Sequence, residues 1–86
     1  MIYKLVFERR ALKQLKAINP AHIPTIEGDI RSLAENPRPQ GYIKLKGQEA
    51  YRIRSGDYRI IYEIHDEIIT IVVVDLGHRS SIYRRL

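Results

Sequence analysis

The sequence contains no cysteine and no tryptophan, and only one phenylalanine and one methionine, in 86 residues. Without cysteine there is no disulfide framework, no thiol nucleophile and no thiolate-bound zinc or iron–sulfur site, so apolar burial must hold the core. A cytoplasmic location is expected from the same absence. Long hydrophobic runs are also missing. The longest, Ile68 to Val74, contains Thr70 and falls far short of the ~20 residues a membrane-spanning helix requires. The amino terminus lacks the layout of a secretion signal, and no membrane association is expected. Histidines stand only at 22, 65 and 78, too scattered for a metal site by spacing, and no Gly-rich phosphate loop occurs. Neither a metal nor a cofactor is expected.

What the chain does have is basic charge, 15 Lys and Arg against 10 Asp and Glu, in an uneven layout. Residues 1–16 hold five basic groups against Glu8. Residues 38–59 hold six against Glu49 and Asp57, and residues 77–86 hold three against none. The segments between them are net acidic. Three basic blocks brought together by folding would form a surface that attracts polyanions. A chain of this length supports one domain, 1–86, with a radius of gyration of about 12 Å.

Periodicity orders the elements. Met1 to Phe7 alternates as a strand does. Glu8 to Asn19 places Ala11, Leu12, Leu15 and Ile18 on one helical stripe, with Arg9, Arg10, Lys13, Gln14 and Lys16 outside it. Asn19-Pro20 breaks that helix. A second series, Ile23, Ile26, Ile30 and Leu33, predicts a helix from near Ile23, where Pro24 is tolerated in the first turn. The segment 36–41, with two prolines and a glycine, ends it. Strands are then predicted over 42–46, 51–54, 57–64 and 67–76, with Ser55-Gly56 as a tight turn and His65-Asp66 in the next. Strands joined so closely form an antiparallel meander. The predicted fold class is α+β: two N-terminal helices packed on one face of a small, mostly antiparallel, four- to five-stranded sheet in the order β-α-α-β-β-β.

Alternation on the sheet places Arg52 and Arg54 together, opposite in parity to Tyr51 and Ile53. A register that buries Ile53 with Ile60 and Tyr62 adds Arg59 to the same face. Like charges opposed across a sheet are destabilising unless carboxylates interleave, and Glu63 alone has the matching parity. One reading is therefore a solvated face with Glu63 as partner. The other is an anion site, because guanidinium forks bind phosphate oxygens in pairs. Downstream, His78, Arg79 and Tyr83 could join this face if the chain end folds over it, adding an imidazole, a fourth guanidinium and a phenol.

The stretches Lys44-Leu45-Lys46-Gly47, Tyr51-Arg52-Ile53-Arg54-Ser55-Gly56-Asp57-Tyr58-Arg59-Ile60-Ile61-Tyr62-Glu63-Ile64 and Leu76-Gly77-His78-Arg79, with Tyr83, resemble the RelE/ParE superfamily of toxin–antitoxin toxins, and its RelE branch most. The resemblance covers nearly the whole chain. It implies a ribosome-dependent, metal-independent endoribonuclease, an mRNA interferase. Such an enzyme cuts messenger RNA in the A site by attack of a ribose 2′-hydroxyl on the adjacent phosphate. The residues it implies are Arg52, Arg54, Arg59, Arg79 and Tyr83; of these Arg59, Arg79 and Tyr83, with His78, are the expected catalytic residues, and Arg52 and Arg54, with Lys44 and Lys46, are expected to bind RNA phosphates. The implied partners are a cognate antitoxin, the ribosome and messenger RNA; sequence-specific DNA binding is expected to belong to the antitoxin.

One departure matters chemically. Where relatives carry lysines on the strand, this chain has Arg52 and Arg54, which stay protonated and serve as clamps rather than as a base. His78 and Tyr83 are the titratable candidates for acid and base, with Glu63 behind them as the residue expected to hold an arginine. Two other readings are open: a ParE-like inhibitor of DNA gyrase without ribonuclease activity, since the Tyr-Arg-Ile-Ile-Tyr block is common to both branches, and an RNA-binding module that does not cut.

Overall fold

The computed structural model describes residues 2–80. The elements run β1 (Lys4–Phe7), α1 (Arg9–Lys16), α2 (Ile23–Glu35), β2 (Ile43–Lys44), β3 (Tyr51–Ser55), β4 (Tyr58–His65) and β5 (Thr70–His78), with a 3-10 turn at Asp66–Ile68. The strands form one sheet in the order β1-β5-β4-β3-β2. β1 lies parallel to β5, and every other pairing is antiparallel. The α+β expectation holds, and the sheet is mixed. The Cα radius of gyration, 12.0 Å, equals the value expected for a compact chain of this length.

Both helices cover one face. Ala11 and Leu15 from the first helix, Ile18 just beyond its end, and Ile26, Ile30 and Leu33 from the second pack on Ile53, Ile60, Tyr62, Ile71, Val73 and Leu76. Each such aliphatic side chain contributes about 1.5–3 kcal/mol when fully buried. Leu12, expected on the buried stripe, is 40% exposed. The helix is only two turns long, and Ala11 and Leu15 already fill its contact line. α2 starts at Ile23 with Pro24 in its first turn, as the proline required.

Three boundaries differ from expectation. β2 shrinks to two residues at the sheet edge. β5 begins at Thr70, because Asp66–Ile68 coil into the reversal and leave Ile68 67% exposed, with Ile69 at a φ of 49°. The first helix ends at Lys16, where the amide of Ala17 caps the carbonyls behind it. The β3–β4 reversal also shifts, from the expected Ser55-Gly56 to a two-residue loop at Gly56-Asp57, because Ser55 pairs with Tyr58, and Gly56 takes a φ of 60°. Glycine at the first loop position supplies the positive φ that matches the twist of the paired strands.

A β-bulge shapes the region that follows. Tyr62 pairs with Val73, but Ile61 pairs with Asp75, so Val74 is an extra residue in β5. The bulge reverses the side-chain parity of β5. Val73 faces the helices, and beyond it Leu76 and His78 do so as well, while Gly77 falls beside Arg59. β5 also outruns β1, and Gln14 of the first helix covers its open edge. Its carbonyl accepts from the Leu76 amide at 3.0 Å, and its amide donates to Asp75 Oδ1 at 2.8 Å.

The proline-rich loop is pinned from two sides. Tyr62, fully buried, donates its hydroxyl to the Pro37 carbonyl at 2.7 Å, and burial pushes the phenol above its ordinary range. Arg38 pairs with Asp66 at 2.9 Å, and Tyr3 donates to the same carboxylate at 2.5 Å. Those hydrogen bonds, Arg38's first, hold the Asp66 carboxyl below the usual carboxylate range, and the Asp66 bond raises the Tyr3 phenol.

Candidate functional site

The sheet face opposite the helices carries the arginines. Arg54 and Arg59 are direct register partners on β3 and β4, and Arg52, opposite Ile61, shares their face two residues along. Arg59 is 4% exposed, its Nη1 donating to the Tyr58 carbonyl at 3.3 Å; Arg52 is half-buried and Arg54 exposed. Ile61 and Ala50, with Leu45 and Val74 against them, make a small apolar floor beside these charges. Such a floor excludes water, and in a poorly hydrated setting a guanidinium attracts phosphate oxygens more strongly than it does in bulk solvent.

Arg79 lies two residues beyond Gly77, the register partner of Arg59. Its amide donates to the Asp57 carbonyl at 2.9 Å, which ties its backbone to the hairpin tip. The end of β5 thus reaches the same end of the sheet as Arg54 and Arg59. Tyr83, with Arg84 and Arg85, lies outside the described residues.

Not every expected residue joins this face. His78 pairs with Tyr58, on the helix side, because the Val74 bulge has reversed its parity. Its Nδ1 lies 3.0 Å from Ser80 Oγ and accepts from the Ser80 amide at 3.4 Å, in the manner of an N-cap side chain at the helical turn of Arg79 and Ser80. Lys44 is the register partner of Tyr51, not of Arg52, and its Nζ is held by the Gln48 carbonyl at 3.0 Å and Glu49 at 3.7 Å. Lys46 is exposed in the loop between β2 and β3. Glu63 shares the arginine face by register but is bonded to His65 at 2.8 Å, so its partner is the imidazole two residues on rather than a guanidinium.

Sequence reasoning missed His22 and Tyr58. Their rings lie 5.7 Å apart, and Tyr58 meets His78 edge-on at the same distance, around a cleft on the helix side of the hairpin tip. No spacing rule joins a residue before the second helix to a strand 36 positions later. Among the described residues no three His, Asp or Glu side chains converge as a metal site would require, and no helix is long and apolar enough to cross a membrane.

What the arginine face can do is grip a phosphodiester from two strands at once. Comparison with known proteins bears on which one. A family model described as ParE toxin of type II toxin–antitoxin system, parDE, matches residues 5–83. The mRNA interferase toxin RelE of Escherichia coli is 32% identical, with 96% of this chain and 92% of that protein covered. The RelE–RelB complex of Pyrococcus horikoshii superposes with a TM-score of 0.80 at 29% identity, covering 92% of this chain and 97% of that one. The intact E. coli RelBE toxin–antitoxin complex gives 0.77 at 30% identity, covering 88% and 95%. With the sheet order and these matches in agreement, the chain belongs to the RelE/ParE superfamily as a RelE-type toxin of a type II toxin–antitoxin system.

Proposed function

We propose that the chain is an endoribonuclease that cuts messenger RNA in the ribosomal A site, without a metal ion. The observation that carries this reading is the direct opposition of Arg54 and Arg59 with Arg52 beside them. Facing like charges cost stability, and a bound phosphate repays that cost. The relative named mRNA interferase toxin RelE supports the same activity.

In this mechanism the 2′-oxygen attacks the adjacent phosphorus, the P–O5′ bond breaks, and the products are a 2′,3′-cyclic phosphate and a 5′-hydroxyl. The nucleophile's proton passes to a base, and the departing 5′-oxygen receives one. Arg52, Arg54, Arg59 and Arg79 stay protonated and act by charge on the crowded phosphate of the transition state. Of the titratable candidates, Glu63 is occupied by His65 and His78 stands on the other face. That leaves Tyr83 as the residue of this chain we assign to proton transfer. Lys46, exposed beside the sheet edge, adds long-range attraction for the RNA backbone, and Lys44 braces the loop it is bonded to.

The test is cleavage on ribosomes programmed with messenger RNA that carries deoxyribose at the cut position. Loss of cutting is expected, since the nucleophile is gone; continued cutting would refute the mechanism. Arg79→Ala should lower the rate by about 10²–10³, the usual cost of removing one transition-state contact. A cytoplasmic site of action and an antitoxin partner belong to the same proposal. The P. horikoshii and E. coli relatives were solved as toxin–antitoxin complexes, and a basic face favours an acidic partner. A second reading, a ParE-like gyrase inhibitor, draws on the description of the matching family model. DNA damage with intact messenger RNA in cells expressing the chain would establish that reading instead.

A further inference from the structure

The cleft on the helix side of the β3–β4 tip takes no part in the arginine chemistry. It encloses about 280 Å³ between that tip and the start of α2, at the small end of ligand clefts. Three rings line it in series. His22 and Tyr58 lie 5.7 Å apart at 51°, and Tyr58 and His78 lie 5.7 Å apart at 85°. Both imidazoles are exposed, and Tyr58 is half-buried. Ser55, the register partner of Tyr58, is 3% exposed, and its hydroxyl has no hydrogen-bond partner among the described residues. An unpaired buried hydroxyl is costly, and a ligand that reaches it recovers the loss. Thr25, in the first turn of α2, and Asp57 complete the polar lining.

The lining selects the chemistry of the occupant. A carboxylate at the rim opposes a bare phosphate. Flat ring faces with hydroxyls and a carboxylate around them suit a nucleobase, which stacks through its face and is read by its edge. Location selects the nucleotide. The Asp57 carbonyl accepts from the Arg79 amide at 2.9 Å, and the Tyr58 carbonyl accepts from Arg59 Nη1 at 3.3 Å. The cleft and the arginine face are thus two sides of one hairpin end, and an RNA strand gripped on one side can turn the corner into the other.

We propose that this cleft is a nucleobase subsite. It holds a base flanking the cleaved phosphodiester against His22, Tyr58 and His78, with Ser55, Thr25 and Asp57 contacting the base edge. The proposal rests on the ribonuclease reading for its choice of ligand. Its first test does not depend on cutting. A trinucleotide RNA with deoxyribose at the cut position is titrated into the protein while the imidazole C2–H resonances are followed by NMR. His22 and His78 should shift saturably through the ring current of the stacked base. His65, bonded to Glu63 on the other face, should stay. The same trinucleotide with the flanking base removed should leave all three unmoved. No shift, an equal shift in all three, or a shift that survives removal of the base would overturn the subsite.

The second test is His22→Ala on programmed ribosomes. Loss of one stacking partner should lower kcat/KM by about five- to a hundredfold and flatten the preference among flanking bases. The melting temperature should hold, since the ring is exposed. Wild-type cutting with an unchanged base preference in the variant would sink the subsite alone. A wild type that never cuts, yet shows the base-dependent imidazole shifts, would sink the ribonuclease reading and support the cleft.

Discussion

Replacing Arg54 by glutamine should make the protein more stable and less active. Arg54 is exposed and stands directly opposite Arg59, whose guanidinium is almost fully buried. Two unit charges about 6 Å apart repel by about 0.7 kcal/mol in water, within the range of about 0.2–1 kcal/mol found for facing cross-strand pairs. For a domain of this size, relief of about 0.5 kcal/mol raises the melting temperature by about 2–4 °C. The same substitution removes a charged hydrogen bond to phosphate worth about 1.5–3 kcal/mol, so cleavage should fall about 10- to 150-fold. Thermal denaturation followed by circular dichroism measures the first quantity, and single-turnover cleavage on programmed ribosomes the second. Salt supplies an internal check. At 1 M the Debye length shrinks to about 3 Å, so the gain in melting temperature over wild type should largely vanish. A variant that melts lower than wild type while cutting at the wild-type rate would refute the reasoning and make Arg54 a stabiliser of the sheet.

Tyr62→Phe should cost about 1–2 kcal/mol and leave cleavage intact, because it deletes the buried bond to the Pro37 carbonyl; urea denaturation at neutral pH measures it. Burial raises the Tyr62 phenol, so above pH ~10 the unfolded chain loses that proton before the folded one does. Stability must then fall as pH rises, and the phenylalanine variant should show a shallower alkaline limb. At the acid end the sign is opposite. The Asp66 carboxyl is lowered by Arg38 and Tyr3, so its contribution is present above the ordinary carboxylate range and is lost as pH falls through its folded value. Arg38→Gln should flatten that acid limb in a pH series of melting curves, and an unchanged limb would show that the bond does not persist in solution.

Much of this molecule could be read from residue order. The stripe Ile26, Ile30 and Leu33 fixed the second helix, since only a helical period buries all three. The shared face of Arg52, Arg54 and Arg59 was legible because burying Ile53 with Ile60 and Tyr62 fixes side-chain parity, whereas the exact partners were not: a Ser55-Gly56 turn would set Arg52 opposite Arg59, and the observed Gly56-Asp57 loop sets Arg54 there. Lys44 and Glu63 have local partners that residue order did not show. Each has a nearer partner, Gln48 and Glu49 for the lysine and His65 for the glutamate.

Strand periodicity by itself thus determined which guanidinium groups share a face, because side-chain parity is a property of the backbone. The chain order could not determine where His78 points. Val73 and His78 have opposite parity along the strand, and simple alternation would carry the imidazole to the arginine side. Only the folded sheet, by accommodating Val74 as an extra residue against β4, turned Leu76 and His78 toward the helices. A bulge forms where packing on both neighbours outweighs one lost ladder step, and that balance exists only once the neighbours are in place.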